Sequence, residues 1–225
     1  KAVWVNSPCN PTGEVYSAER MAGIVAAVRE IGAVVLSDEC YALMQWRGAT
    51  NSADDDPLQS TPCALRSDVC AGSAEGVLVL YSLSKQSNMA GYRTAFIAGD
   101  ESLIASMSAY RKQIGQIIPG PVQAAMAAGL RDLESVKVQH ARYRERLGVL
   151  VSALRAYGYC TDMPDGALYV WVRAKSGDCW TDMEQLAKIG IIASPGEFYG
   201  APECLRFSAT ASDEAIASAA ERLAR

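Results

Sequence analysis

The sequence contains one histidine, His140, three phenylalanines, and no two cysteines at two-residue spacing among its seven. A single histidine argues against a histidine-based catalytic triad and against a multi-histidine metal centre. The cysteines stand at 9, 40, 63, 70, 160, 179 and 204, scattered and odd in number, a pattern that suits neither a disulfide framework nor a zinc site. There is no basic run, and the formal net charge is −4, so the chain offers no electrostatic footprint for nucleic acid. No apolar stretch is long enough to span a bilayer, and no secretory signal precedes Lys1, which predicts a cytosolic protein with no membrane partner. His140 lies in the charged and polar run from Lys137 to Arg146 and reads as a helix-surface residue.

What is present is the mixture of a soluble globular protein: half of the 225 residues are apolar and a fifth are charged, enough for one large domain or one and a half smaller ones. Lys1 is not a methionine, and Ala2 to Val5 already reads as a buried strand, so the chain is expected to start inside a larger fold. Asn6 to Gly13, with two prolines and two asparagines, forms a rigid turn. Ser17 can cap a helix whose apolar positions are Met21, Ile24, Val28 and Ile31, and Gly32 ends it. Ala33 to Leu36 is a second apolar strand, and strand, helix, strand at this length implies a right-handed parallel crossover. It runs into Asp38 and Tyr41, at a strand end, where open α/β sheets collect ligands. Taken alone, Asp38 could equally cap a helix.

Gly48 to Gly76, polar and rich in small residues, reads as a long surface excursion. Val77 to Leu80 returns to the sheet and leads into Tyr81-Ser-Leu-Ser-Lys-Gln-Ser-Asn-Met-Ala-Gly-Tyr-Arg93. A lysine where a strand meets a loop is either a solvated side chain or a nucleophile that joins a carbonyl cofactor through a Schiff base. Ser82, Ser84 and Arg93 could bind an anion such as a phosphate. Further along, the pattern predicts a strand at Thr94 to Ala98 and helices at Leu103 to Ile117 and Val122 to Leu130. A long helix from Glu134 to Tyr157 presents Tyr143, Leu147, Leu150, Val151 and Leu154 on one side. Then come a half-buried strand at Ala167 to Val172, a helix at Trp180 to Ile189, strands at Ile191 to Ala193 and Leu205 to Ser208, and a helix capped by Asp213. The expected organisation is residues 1–133 as the end of a larger α/β domain and residues 134–225 as a smaller α+β domain. Tyr169, Trp171, Phe198 and Tyr199 read as packing, with Tyr199 alternatively at a substrate mouth, and Cys40 reads as a small buried hydrophobe.

Asn10-Pro-Thr-Gly13, Asp38-x-x-Tyr41, Ser82-x-Ser84-Lys85, Arg93 and Leu205-Arg206-Phe207 each fall at a predicted strand end, and together they resemble the pyridoxal-phosphate aminotransferases of fold type I, class I/II. The resemblance implies a mostly parallel large-domain sheet with helices on both faces and a smaller C-terminal domain. It implies pyridoxal 5'-phosphate as cofactor, amino acid and 2-oxo acid substrates, and a homodimer. Lys85 would form the Schiff base and shuttle the proton at the substrate Cα. Asp38 would pair with the pyridine nitrogen, and Asn10 and Tyr41 would hydrogen-bond the phenolic oxygen. Ser82, Ser84 and Arg93 would hold the phosphate. Arg206, with Asn10, would meet the substrate, its guanidinium taking the α-carboxylate as a fork.

A narrower likeness is carried by Ser82 to Asp100, Asp38-Glu-Cys-Tyr41 and Pro195-Gly-Glu-Phe-Tyr-Gly200, which resemble the actinobacterial succinyldiaminopimelate aminotransferases. That implies L-glutamate as donor and N-succinyl-2-amino-6-ketopimelate as acceptor, although Leu205-Arg-Phe-Ser208 departs from the Val-Arg-Val-Ala usual there. Other class I/II aminotransferases, a β-lyase of cystathionine type and a non-catalytic remnant are the alternatives. The N-terminal arm, glycine- and serine-containing phosphate loop and ring-stacking aromatic of the family have no counterpart in these residues. The resemblance therefore implies a fragment or truncated product, with an unpaired apolar sheet edge, loose cofactor binding by residues 1–225 alone and no activity of the isolated fragment.

Overall fold

Runs of β-branched residues separated by one helix can lie side by side only through a crossover, which makes the strands parallel. In the computed structural model, which describes residues 1–46 and 62–224, this is how the first strands pair. β1 (Ala2–Asn6) leads through α1 (Ala18–Glu30) to β2 (Val34–Asp38), and the two pair in parallel with Asn6 opposite Asp38. β3 (Val77–Ser82) pairs in parallel with β2, placing Leu80 opposite Asp38. A short helix α2 (Leu83–Gln86) and a turn at Ala90–Tyr92 precede β4 (Ala95–Gly99), which returns antiparallel to β3. The sheet order is β1-β2-β3-β4, mostly parallel as expected. α3 (Glu101–Gln113), α4 (Gly120–Arg131) and the start of α5 (Leu133–Ala156) complete this first unit, which comprises residues 1–8, 15–45 and 62–139.

One face of the sheet is covered by α1. Val5, Val35, Val77 and Val79 form a cluster with Met21, Val25 and Val28 of that helix, joined by Ala64 and Val69. Several local expectations change here. Ile31 is exposed and caps α1, and Val25 takes a place in the helix's buried row. Among the described residues β1 lies at the sheet edge, in keeping with the expected unpaired apolar edge, but it is less buried than its composition suggests, with Trp4 59% exposed. Ala64, Val69 and Cys70 are buried core residues while Arg66, Asp68 and Ser73 stay exposed, so the described part of the expected surface excursion is anchored in the core; positions 48–61 of that excursion lie outside the described residues. α3 ends at Gln113, short of the expected Ile117, which is exposed.

The second unit comprises residues 9–14, 46 and 140–224. The remainder of α5 buries Tyr143, Leu147, Leu150, Val151 and Leu154, the side that its spacing predicts. β5 (Tyr169–Arg173), α6 (Cys179–Lys188), β6 (Ser194–Pro195), β7 (Cys204–Ser208) and α7 (Asp213–Leu223) follow. The three strands form an antiparallel sheet in the order β5-β7-β6. β5 is more enclosed than the expected half-buried strand, since Tyr169, Val170 and Val172 are all buried. The short strand lies at Ser194–Pro195, displaced from Ile191 to Ala193. Ser212, not Asp213, caps α7 by accepting from the Ala215 amide, which leaves Asp213 to pair with Arg146 at 2.5 Å.

His140 is the clearest correction. It is only 6% exposed and its ring lies 4.6 Å from that of Trp46, whose indole N–H donates to the Ala167 carbonyl at 2.7 Å. The charged neighbours in sequence face elsewhere because a helix turns about 100° per residue, and His140 stands three positions before buried Tyr143.

Candidate active site

Parallel strands bring their carboxyl ends to one edge of a sheet. β2 therefore delivers Asp38, followed by Cys40 and Tyr41, beside the end of β3, where Tyr81, Ser82, Ser84 and Lys85 follow. A cavity of about 280 Å³ opens there, and Asp38, Cys40, Tyr81, Ser82, Ser84 and Arg93 line it. Lys85 sits on α2, one turn of helix where the sequence suggests a loop. Its ammonium lies 5.7 Å from the centroid of the Tyr41 ring, and its charge reaches the Cys40 thiol. Ser82 begins α2 without using its hydroxyl as a cap. Arg93 takes a left-handed backbone conformation, φ 52°, and its guanidinium donates to the Ala90 carbonyl at 2.8 Å. The six residues Asp38, Tyr41, Ser82, Ser84, Lys85 and Arg93 are thus gathered in the first unit.

Two lining residues were not expected to face a ligand. Cys40 is half-buried and bonds through its amide to an Asp38 carboxylate oxygen at 3.1 Å. Burial, reinforced by the Asp38 charge, pushes its thiol pKa up, so Cys40 presents a neutral wall and no thiolate. Tyr81 is likewise kept protonated, by burial first and then by the neighbouring Cys40 and Glu39. The signal available in the sequence was position: both residues are within two places of a strand end that carries Asp38 or Ser82.

The other two expected residues meet in the second unit. Arg206 occupies the middle of β7, opposite Trp171 of β5 and Ser194 of β6. Its guanidinium donates to the Asn10 side-chain oxygen at 2.7 Å and lies 4.2 Å from the centroid of the Tyr169 ring and 5.0 Å from that of Tyr199. Those two rings hold the cation by its faces. Tyr199 is fixed in turn, edge-on to Trp171 at 5.7 Å and within 3.3 Å of the Ser194 hydroxyl. Asn10 is presented by a turn in which the Gly13 amide donates to the Cys9 carbonyl at 2.8 Å. Gly13 has φ +74°, and a Cβ there would stand 2.7 Å from the Pro164 side chain, so only glycine fits.

Arg206 Nε is buried and has no hydrogen-bond partner among the described residues. A buried cationic donor left without an acceptor is costly, and a carboxylate, which accepts two parallel bonds from a guanidinium, removes that cost. In the first unit two hydroxyls and an arginine suit a phosphate, a carboxylate suits a protonated ring nitrogen, and an amine suits an aldehyde. The donor set fits pyridoxal 5'-phosphate.

The family model described as "Aminotransferase class I and II" matches residues 1–223. The chain is 42% identical over 225 residues to the 4-dedimethylamino-4-oxo-anhydrotetracycline transaminase OxyQ of Streptomyces rimosus, covering 99% of this chain and 59% of the relative. It is 38% identical to the probable aminotransferase Rv1178 of Mycobacterium tuberculosis, covering 98% of this chain and 50% of that protein. Among solved structures, aspartate aminotransferase of Thermus thermophilus with maleate superimposes with a TM-score of 0.83 at 28% identity, over 100% of this chain and 56% of that one. The chain therefore spans between half and three fifths of the length of these proteins.

Proposed function

The chain belongs to the class I and II aminotransferases, whose members depend on pyridoxal phosphate, and we propose that it moves an amino group between L-glutamate and a 2-oxo acid with that cofactor. The observation that carries this reading is the convergence of Asp38, Ser82, Ser84 and Arg93 on one cavity at the ends of β2 and β3, with Lys85 one residue beyond Ser84. When bound, the cofactor supplies an electron sink that lets the substrate Cα proton leave. Lys85 would hold the cofactor through its amine and would move the proton from the substrate Cα to the cofactor C4′. Asp38 would keep the ring nitrogen protonated, and Tyr41 and Asn10 would hydrogen-bond the phenolic oxygen. Ser82, Ser84 and Arg93 bind the phosphate, and Arg206, oriented by Asn10, receives the substrate carboxylate.

For the acceptor, the stretches Ser82 to Asp100 and Pro195 to Gly200 favour N-succinyl-2-amino-6-ketopimelate. LL-diaminopimelate aminotransferase of Syntrophobacter fumaroxidans, 29% identical over 99% of this chain, is in keeping with a diaminopimelate-like substrate. A second reading comes from the 42% identity to OxyQ, which favours a ring ketone of the anhydrotetracycline type. A cytosolic homodimer belongs to the same proposal. Incubation of the full-length protein that carries these residues with pyridoxal 5'-phosphate and L-glutamate is expected to yield 2-oxoglutarate, and Lys85→Ala is expected to lower that yield by about 10³-fold or more. Pyruvate and ammonia released from cystathionine, without 2-oxoglutarate from L-glutamate, would instead make the protein a β-lyase. Comparing the two acceptors under identical conditions separates the substrate readings.

A further inference from the structure

Asp38 is flanked by two residues whose side chains join behind it. The Ser37 hydroxyl donates to Glu39 Oε1 at 2.9 Å, as expected of residues two apart on one side of a strand, while Asp38 between them lines the cavity. Glu39 is 3% exposed. The same Oε1 accepts the Ala64 amide at 2.8 Å, and the Cys63 thiol also hydrogen-bonds this carboxylate. The Glu39 backbone is itself tied down: its amide donates to the Leu80 carbonyl of β3 at 3.0 Å, and its carbonyl accepts from Ala42 at 2.9 Å. Glu39 thus ties three segments together, its carboxylate joining Ser37 of β2 to residues 63–64 and its backbone amide holding the end of β3.

Packing alone does not call for an acid here, since an apolar side chain would fill the space without losing hydration. The geometry points to a different purpose. We propose that Glu39 is a positioning residue for the ring-nitrogen carboxylate: it clamps residues 63–64 behind the end of β2 and so fixes Asp38 in the cavity wall. The inference rests on the pyridoxal-phosphate reading of that cavity. The ionisable groups around the clamp are Asp38 on its own strand, Cys63 on the clamped segment, Tyr81 on β3, and Cys40 beyond Asp38. The charge of Glu39 acts on Cys63 and Tyr81, and that of Asp38 acts on Glu39 and Cys40. Burial above all, and then Glu39, push the Cys63 thiol up to about 11, so Cys63 is a protected thiol that reports whether the clamp is closed.

The test compares the full-length wild-type protein that carries these residues with Glu39→Ala, which removes the clamp, and Glu39→Gln, which keeps a side-chain oxygen for Ser37 and Ala64. Iodoacetamide labelling at Cys63, located by mass spectrometry on ligand-free protein, reads the clamp. Absorbance titration with pyridoxal 5'-phosphate reads the cavity. Glu39→Ala is expected to label Cys63 about tenfold faster and to bind the cofactor about tenfold more weakly, a change of about 1.4 kcal/mol in each case. Glu39→Gln is expected to stay within about threefold of wild type on both counts. Unfolding against pH adds a readout that packing does not move. Burial raises the Glu39 pKa above its usual 4.5, so the folded state holds the proton longer than the unfolded chain. Wild-type stability contributed by that proton is therefore complete below 4.5 and is lost as pH climbs through the raised value; Glu39→Gln lacks this loss.

Should the alanine variant not fold, Glu39→Asp, shorter by one methylene, takes its place with the same expectations. Labelling and affinity both at wild-type values in the clamp-breaking variant would overturn the proposal. So would a freed Cys63 with unchanged cofactor affinity, because Asp38 would then not depend on the clamp. A full-length wild-type protein that takes up no pyridoxal 5'-phosphate would fail at the cavity reading itself, which the wild-type titration shows before any variant is compared.

Discussion

The two units bury their helices to different degrees. In the second, α5 inserts Tyr143, Leu147, Leu150 and Leu154 into its core, and α6 and α7 bury Leu186, Ile216 and Leu223. In the first, α3 buries none of its thirteen residues and α4 buries only Met126. Tyr110, Ile114, Ile117 and Leu130 stay exposed there, beside an apolar groove of about 830 Å³ along β4, α3 and α4. Among the described residues, both outer strands of the first unit's sheet have one neighbour only, and Trp4 and Phe96 on those strands are exposed. The unit that gathers the expected cofactor ligands is thus the one with the less complete core. The proposed cofactor site there depends on strand ends, whereas the second unit presents one arginine from a well-packed sheet.

The largest test of that contrast is a pair of truncations. Leu147→Ala, in the packed stripe of α5, is expected to lower stability by about 2–5 kcal/mol, whereas Ile104→Ala on α3 should cost less than about 1 kcal/mol. Denaturant midpoints for both variants check this, and equal losses would break the comparison. The next concerns ligands. Arg206→Lys exchanges a planar fork for a point charge, so KM for L-glutamate should rise by about tenfold or more, while cofactor affinity, read from the first unit, should stay within about twofold. A parallel loss of cofactor affinity would mean that the two sets of ligands are not separable.

The smallest effect lies at the start of α3. Asp100 accepts from the Gly76, Ser102 and Leu103 amides, and these bonds, led by Gly76, hold its pKa at about 2. A carboxyl lowered in the folded state stabilises above its usual 3.8 and ceases to do so as pH falls through about 2. Amide exchange at Ser102 and Leu103, measured across that window, should lose protection as pH drops. Asp100→Asn should remove the pH dependence. Protection that does not change with pH would show that the weakly packed helix does not rely on its cap.

Much of this was legible in the residues. β-branched runs at Ala2 to Val5, Ala33 to Leu36 and Val77 to Leu80 specify strands by composition, and the single helix between the first two leaves little but a parallel pairing. Asp38 and Lys85 could be placed at strand ends because a hydrophobic run stops abruptly before each polar stretch. His140 was misread because its neighbours are charged. Its place on the row Val136, His140, Tyr143, Leu147, Leu150 and Leu154, all buried, is a periodic signal that outweighs them. Residues 62–70 were misread for a different reason. Short, polar, turn-rich segments carry no periodicity, so nothing local announces that Ala64 and Val69 will close the core around α1.

By itself, then, the sequence determined the order of strands and helices, the family, and the identity of the groups able to hold a phosphate, a ring nitrogen and a carboxylate, because each of these depends on local pattern and spacing. Only the tertiary structure decided which groups share a cavity, that Arg206 has a buried donor awaiting an acceptor, and that Glu39 faces away from the cavity onto residues 63–64. Those facts depend on contacts between segments 25 to 196 residues apart, and hydrophobic periodicity carries no information about such distant partners.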